Sequence, residues 1–299
     1  MNPAIYLEQV SKRYGQAAAV SDLDLTVPSG EVLGFLGPNG AGKTTTIRLL
    51  MGFLRPTAGR VRLLGHDMHE PAQARQVRQR LGFVPDVAGL DPTATGEQLL
   101  DDLAALQGQP PLDRARMVER LELRHADLRR PISRLSRGTR QKINLVQGLQ
   151  HRPDLIVLDE PTEALDPLAK RALFDLLQAA KARGATIFFS SHILSEVEEL
   201  CDRVALIRGG RLVAVEQIAT LRAQLARRVT LTLTTADAAV GEQLATLPTV
   251  TNLAADDKTY RFSIAEMPPL LTLLPTLPIS DLLVEPATLE ELFLQYYSK

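Results

Sequence analysis

Gly37-Pro38-Asn39-Gly40-Ala41-Gly42-Lys43-Thr44 satisfies every fixed position of the glycine-rich phosphate-binding pattern, and the apolar run Val32-Leu33-Gly34-Phe35-Leu36 ahead of it reads as a buried strand. The glycines allow a turn so tight that successive backbone N–H groups converge on phosphate oxygens. Lys43 can then reach the outer phosphates of a nucleoside triphosphate, and the Thr44 hydroxyl can ligate Mg²⁺. The segment from Thr44 to Met51 supplies a helix whose N-terminal dipole adds attraction for the same anion. A turn that served shape alone would need neither Lys43 nor Thr44. The phosphate-contacting set is therefore Gly37, Pro38, Asn39, Gly40, Ala41, Gly42, Lys43, Thr44 and Thr45, with Lys43 also assigned to catalysis.

Two further apolar runs end in polar residues that suit the same chemistry. Leu155-Ile156-Val157-Leu158 ends in Asp159-Glu160, and Thr186-Ile187-Phe188-Phe189 ends in Ser190-Ser191-His192. A carboxylate at the first end can hold Mg²⁺ through its hydration shell, the role expected of Asp159. Glu160 is placed to orient and deprotonate the water that attacks the terminal phosphorus. His192 can hydrogen-bond the terminal phosphate and hold that water in line. A third segment, Leu135-Ser136-Arg137-Gly138-Thr139-Arg140-Gln141, leads into a helix through Ile143, Leu145, Val146 and Leu149. Ser136 and Gly138 then sit at a helix N-terminus, a second end that attracts anions. Two such ends in one chain suggest that each completes a site in a second subunit.

These groups need an α/β scaffold. The continuous apolar runs read as parallel core strands, whose ends are where open sheets bind ligands. Ile5 and Leu7, then Leu23, Leu25 and Val27, alternate as strands do and suggest that the sheet is mixed. Residues 91–150 carry helical patterns without an obvious strand, a helical insertion of about 87–150 whose arginines are interspersed with acids. With 299 residues, one large domain at 1–222 and a small one at 223–299 are expected. In the small one, strand patterns at Val229 to Leu233, Val250 to Ala254, Tyr260 to Ile264 and Leu282 to Val284 alternate with helical patterns at Asp237 to Leu247 and Pro268 to Leu274. That order, β-α-β-β-α-β, is ferredoxin-like, an α+β module. Thr288 and Glu291 form a capping-box pattern for a terminal helix with Leu289, Leu292, Phe293 and Tyr296 on one face.

Composition excludes several classes. The hydrophobic fraction of 45% and charged fraction of 23% are those of a globular protein, and a formal net charge of -1 gives no basic field for nucleic acid. The single Cys201 cannot form an internal disulfide and is expected to be buried. The first residues lack the basic start and apolar core of a secretory signal, which points to the cytoplasm. No window reaches the roughly 18 apolar residues a membrane helix needs, so a membrane role is expected to come through another polypeptide.

Taken together, the phosphate loop, the Ser136 segment, Leu158-Asp159-Glu160-Pro161-Thr162, Ala164-Leu165-Asp166 and His192, in that order, resemble the ATP-binding subunit of an ABC transporter over residues 3 to 220. The resemblance implies a P-loop NTPase core with a helical subdomain, ATP and Mg²⁺ as ligands, and head-to-tail pairing with a second ATP-binding subunit, as a homodimer or a heterodimer. Ser136 and Gly138 would then bind the terminal phosphate in trans, and Tyr14 would stack on adenine. Separately encoded transmembrane permease subunits are implied as partners, with this chain peripheral on the inner face of the membrane. The tail beyond residue 222, ending Pro286-Ala287-Thr288-Leu289-Glu290-Glu291-Leu292-Phe293, resembles the accessory domain attached to exporters of the ABC-2 type.

The chain departs from the family pattern at several places. Asp86 stands after Gly82-Phe83-Val84-Pro85, where Gln or Glu is usual; it is assigned to the metal and the nucleotide, although aspartate is shorter and, ionised, only accepts hydrogen bonds. Arg137 replaces a glycine and either adds charge near phosphate or points to solvent. Thr139 stands where glutamine is common, and Glu163 where a small residue is. Two other functions are compatible with such a chain: a soluble ABC ATPase acting on ribosomes or nucleic acid, which generally carries two phosphate loops, and a sensor that dimerises on ATP without transport.

Overall fold

A computed structural model of the chain describes residues 3–85, 90–224 and 226–285. The chain divides into two units, Met1–Ile218 and Ala219–Lys299. In the first, β1 (Ile5–Tyr14) and β2 (Ala17–Val27) form a hairpin, followed by β3 (Val32–Leu36), the phosphate loop and α1 (Lys43–Leu50). Next come β4 (Ala58–Leu63), β5 (His66–Asp67), α2 (Pro71–Arg78) and β6 (Leu81–Val84). Four helices follow: α3 (Gly96–Gln107), α4 (Arg114–Arg120), α5 (His125–Leu128) and α6 (Arg137–Leu149). The unit continues through β7 (Leu155–Leu158), α7 (Pro167–Ala182), β8 (Thr186–Ser191), α8 (Leu194–Leu200), β9 (Arg203–Arg208) and β10 (Arg211–Gln217).

The central sheet has the order β10-β9-β3-β8-β7-β6. β9, β3, β8, β7 and β6 run parallel, while the edge strand β10 is antiparallel to β9. The sheet's mixed character thus comes from β10. β1 and β2 do not join it; they pair with β4 and β5 in a separate antiparallel sheet. The burial pattern explains the division. Every residue of β3, β7 and β8 is buried, as strands covered on both faces must be, whereas β2 alternates and presents Val20, Leu23, Leu25 and Val27 to the core. Both layers share one apolar core, in which Phe35 and Phe188 pack with ring centroids 5.1 Å apart. Each such fully buried aromatic contributes about 1.5–3 kcal/mol. Val197, Leu200 and Cys201 are buried under β3, and burial pushes the Cys201 thiol well above its usual pKa.

The boundary between the units falls at the start of α9 (Ile218–Gln224), and the second unit continues with β11 (Arg227–Leu233), α10 (Ala238–Thr246), β12 (Val250–Asp256), β13 (Thr259–Ile264), α11 (Met267–Leu273) and β14 (Ile279–Glu285). Its sheet is antiparallel with the order β12-β13-β11-β14, the split β-α-β arrangement. Val229, Leu231 and Leu233 face a core completed by Val240, Leu244, Tyr260, Phe262, Ile264 and Leu270. The terminal helical pattern around Leu289, Leu292, Phe293 and Tyr296 lies outside the described residues.

Candidate active site

Strand register assembles the site. Leu36 is level with Ser191, and Phe189 with Leu158, so the ends of β3, β8 and β7 lie side by side on one edge of the sheet. The phosphate loop leaves the first, His192 follows the second, and Asp159-Glu160 follow the third. Gly42 closes the loop as the N-cap of α1 with φ 107°, and a Cβ there would meet the Ala19 carbonyl oxygen at 2.7 Å. Only glycine fits both that backbone and that approach. No side chain caps α1 and its first turn carries no acid, so the positive end of the helix is left for an outside anion.

Lys43 is 6% exposed and folds back over this loop. Its Nζ donates to the carbonyls of Gly37 at 2.6 Å and Pro38 at 3.2 Å, and lies 3.1 Å from Glu160 Oε1. The other Glu160 oxygen is 2.9 Å from His192 Nδ1. The carboxylate, 13% exposed, therefore bridges the lysine of the loop and the histidine of the neighbouring strand end. Glu160 adopts φ 46°, a left-handed conformation rare for a side chain of its kind. Ser190 holds it there: its Oγ accepts from the Glu160 N–H at 3.0 Å and donates to Asp159 Oδ1 at 2.9 Å.

In front of these groups lies a cavity of about 380 Å³. Its lining brings together Pro38, Asn39, Gly40, Gly42, Lys43, Thr44, Thr45 and Glu160, with Glu163, Ala18, Ala19, Gly209 and Gly210 added. Ala18 and Ala19 have no distinguishing signal in the sequence. The Gly209-Gly210 pair marks the β9–β10 turn, but only the fold shows that the Gly210 N–H donates to the Ala41 carbonyl and braces the phosphate loop. A larger groove of about 750 Å³ runs among α3, α4 and α5 and contains none of the phosphate-binding residues.

Hard oxygen donors are in place for a cation. Thr44 lines the cavity on the first turn of α1, and Asp159 is buried at the end of β7. Among the described residues no group of three or more His, Cys, Asp or Glu side chains would hold a metal unaided. This donor set fits Mg²⁺, which takes one or two protein oxygens and completes its shell with water and phosphate. Asp86, the other expected ligand, lies outside the described residues.

The Ser136 segment is not part of this cavity. Ser136 caps α6, its Oγ accepting from the Thr139 N–H at 3.1 Å, and both Ser136 and Arg137 are exposed. Gly138 packs so closely on the 160–166 loop that a Cβ would stand 2.8 Å from the Ala164 carbonyl oxygen. Arg137 Nη2 lies 2.5 Å from Glu163 Oε2, so two of the departures from the family pattern are partners of one another. Gln141 Nε2 donates to the Pro161 carbonyl at 2.8 Å, and Lys142 stands 3.5 Å from Asp166. The Ala169 N–H donated to the Asp166 carboxylate, helped by Lys142, lowers its pKa from the ordinary value. Tyr14 is also outside the cavity lining; it is 51% exposed beneath Lys12, on the hairpin whose second strand contributes Ala18 and Ala19.

A parallel sheet with a glycine loop and lysine at the head of one strand, and an acid pair at the end of another, defines a P-loop NTPase of the α/β class. The family model described as ABC transporter matches residues 20–163. Over 220 residues the chain is 37% identical to the Nod factor export ATP-binding protein I of Burkholderia lata, with 70% of this chain and 69% of that protein covered. The protein of the same name from Paraburkholderia xenovorans is 40% identical over 217 residues, with 71% and 70% covered. Among solved structures, an ATP-binding subunit of an ABC transporter superposes with a TM-score of 0.68 at 28% identity, covering 74% of this chain and 92% of that one. A dimeric bacterial ABC transporter cassette, 21% identical, shares the fold with a TM-score of 0.66 over 72% of this chain and 98% of its own. The chain belongs to the ABC transporter family, as an ATP-binding subunit.

Proposed function

We propose that this chain hydrolyses ATP and powers export through separately encoded transmembrane subunits, working on the inner face of the membrane. The observation that carries the reading is the Glu160 carboxylate, held between Lys43 and His192 at the mouth of the phosphate-loop cavity. An incoming triphosphate draws Lys43 off Glu160, because phosphate oxygens outbid a single carboxylate for the ammonium. Glu160, thereby released, accepts a proton from the attacking water, and His192 keeps that water and the terminal phosphate aligned. The N–H groups of the loop and of the uncapped α1 stabilise the phosphate charge. Mg²⁺, when bound, neutralises charge on the outer phosphates, with Thr44, Asp159 and Asp86 as the residues that would hold it.

The exposed Ser136 end of α6 is the surface assigned to the nucleotide of a second ATP-binding subunit, with Ser136 and Gly138 contacting the terminal phosphate there and Tyr14 stacking on adenine. Two things support export. The relatives named above are export proteins by name, and the sequence beyond residue 222 resembles the accessory domain of ABC-2 exporters. The test is phosphate release from Mg-ATP by the purified chain, alone and with a hydrophobic permease encoded beside it, together with the mass of the ATP-bound species in solution. Turnover stimulated by the permease and an ATP-dependent doubling of mass are expected. Doubling without turnover in either condition would favour the sensor instead.

A further inference from the structure

Glu196, on α8, is 2% exposed and belongs to none of the motifs. Its Oε2 accepts hydrogen bonds from two hydroxyls, Ser191 Oγ at 2.8 Å and Thr162 Oγ1 at 2.9 Å. Its Oε1 lies 3.0 Å from Nζ of Lys170, which also sits over the Phe174 ring. A carboxylate this deep is costly unless paired and fully hydrogen-bonded, and a well-packed apolar side chain in its place would often be as stable or more so. Stability alone therefore gives no reason for a glutamate here, whereas the identity of its partners does.

Thr162 lies two residues after Glu160, and Ser191 immediately precedes His192. The Ser191 hydroxyl accepts from the Ile193 N–H at 2.9 Å as it donates to Glu196, which fixes the turn that carries His192. The chain from Glu160 to Thr162, the Glu196 carboxylate, the pair Ser191-His192 and the 2.9 Å contact back to Glu160 form one closed ring. Two loops from different strands would otherwise set the distance between Glu160 and His192 independently. Lys170 anchors the opposite side of the carboxylate to α7.

We infer that Glu196 is a positioning residue for ATP hydrolysis, clamping the Glu160 loop to the His192 loop through Thr162 and Ser191. The inference rests on the hydrolytic reading of Glu160 given above. It acts on the chemical step and not on nucleotide binding, since neither Glu196 nor its three partners lines the cavity. A misplacement of about 1 Å at a reacting centre costs up to roughly 100-fold in rate.

The experiment compares steady-state hydrolysis and equilibrium Mg-ATP binding, in the presence of the permease, for the unaltered chain, Glu196→Gln, Ser191→Ala, Thr162→Val and each combined with Glu160→Gln. Glu196→Gln should lower kcat about tenfold or more while KM and Kd for ATP stay within about twofold. The two hydroxyl deletions remove single ties from a retained carboxylate. They should show the same kcat-only effect to a smaller degree, so the inference stands testable even where Glu196→Gln folds poorly. In the Glu160→Gln background all three should change the residual rate by less than about twofold, because nothing remains to be positioned. Full loss of rate on top of Glu160→Gln, or parallel losses in kcat and ATP affinity, would overturn the clamp. Rapid turnover in Glu160→Gln, or none in the unaltered chain, would overturn the hydrolytic reading and the clamp with it. A normal kcat in Glu196→Gln beside an inactive Glu160→Gln would overturn the clamp alone.

Discussion

Replacing Glu160 by Gln should move ATP binding and ATP turnover in opposite directions. The carboxylate lies 3.1 Å from Lys43 Nζ, a separation worth roughly 5 kcal/mol of gross attraction at an effective dielectric constant of about 20. Desolvation offsets most of that, and the net worth is that of one charged hydrogen bond, about 1.5–3 kcal/mol. Glutamine keeps the shape and offers Lys43 a neutral acceptor worth about 0.5–1.5 kcal/mol, while the Gly37 and Pro38 carbonyls still orient the ammonium. The empty site thus loses about 1–1.5 kcal/mol of competition for Lys43, which is a five- to tenfold tighter Kd for ATP. Loss of the terminal negative charge near the phosphate acts in the same direction. Turnover should fall about 10²- to 10⁴-fold, the range for removal of a general base. Isothermal titration with Mg-ATP and phosphate-release kinetics on the same preparation measure both. Weaker ATP binding would refute the competition between carboxylate and phosphate for Lys43, and turnover within threefold of the unaltered chain would refute Glu160 as the base.

Two other perturbations test separate parts of the site and its support. Gly42→Ala forces a Cβ onto a backbone at φ 107° and to 2.7 Å from the Ala19 carbonyl oxygen, so the loop has to shift; ATP affinity should fall at least about tenfold with the far-ultraviolet spectrum unchanged. His151 is buried, and burial holds its imidazole pKa below the ordinary value of about 6.5. Its folded form binds fewer protons than its unfolded form, so its contribution to stability is intact above about pH 6.5 and is lost as pH falls from there through the depressed folded pKa. The Tm difference between the unaltered chain and His151→Phe should therefore shift in the variant's favour between pH 7.5 and pH 5.5, and a pH-independent difference would contradict the assignment.

The parts of this protein that were legible in the sequence are those in which one residue type has one physical use. A loop with glycines at Gly37, Gly40 and Gly42 followed by Lys43 and Thr44 specifies an anion site before any fold is known. Continuous apolar runs identify strands buried on both faces, and their ends identify where Asp159, Glu160 and His192 must lie. What could not be read is partnership across sequence distance. Alternation in β1 and β2 says that one face is buried but not against which layer, and so not that they form a sheet of their own. Arg137 has two open readings in the sequence because its partner, Glu163, is 26 residues away; the structure shows the guanidinium bound to that carboxylate. Glu196 carries no signature, and Ser190 and Thr162, though they lie in stretches that stand out, have no role legible there, since a hydroxyl or a carboxylate becomes informative only through what it touches.

Two of the departures from the family pattern, Arg137 and Glu163, meet in a single ion pair. Arg137 and Glu163 are both exposed enough that their ion pair contributes no more than about 1 kcal/mol to stability. Its effect is on geometry, because it is one of four ties between the first two turns of α6 and the loop that begins at Glu160. Gly138 against Ala164, Gln141 to Pro161 and Lys142 to Asp166 are the others. Three side-chain ties and one close backbone approach between Arg137 and Lys142 leave the start of α6 little freedom to move without the loop. Further along α6, Asn144 Nδ2 donates to the Pro85 carbonyl and Gln147 Nε2 to that of Phe83, which binds the same helix to the end of β6. One helix thus joins the exposed Ser136 end, the loop that begins at Glu160 and the end of β6. A force applied at any one of these points has to appear at the other two or break named hydrogen bonds.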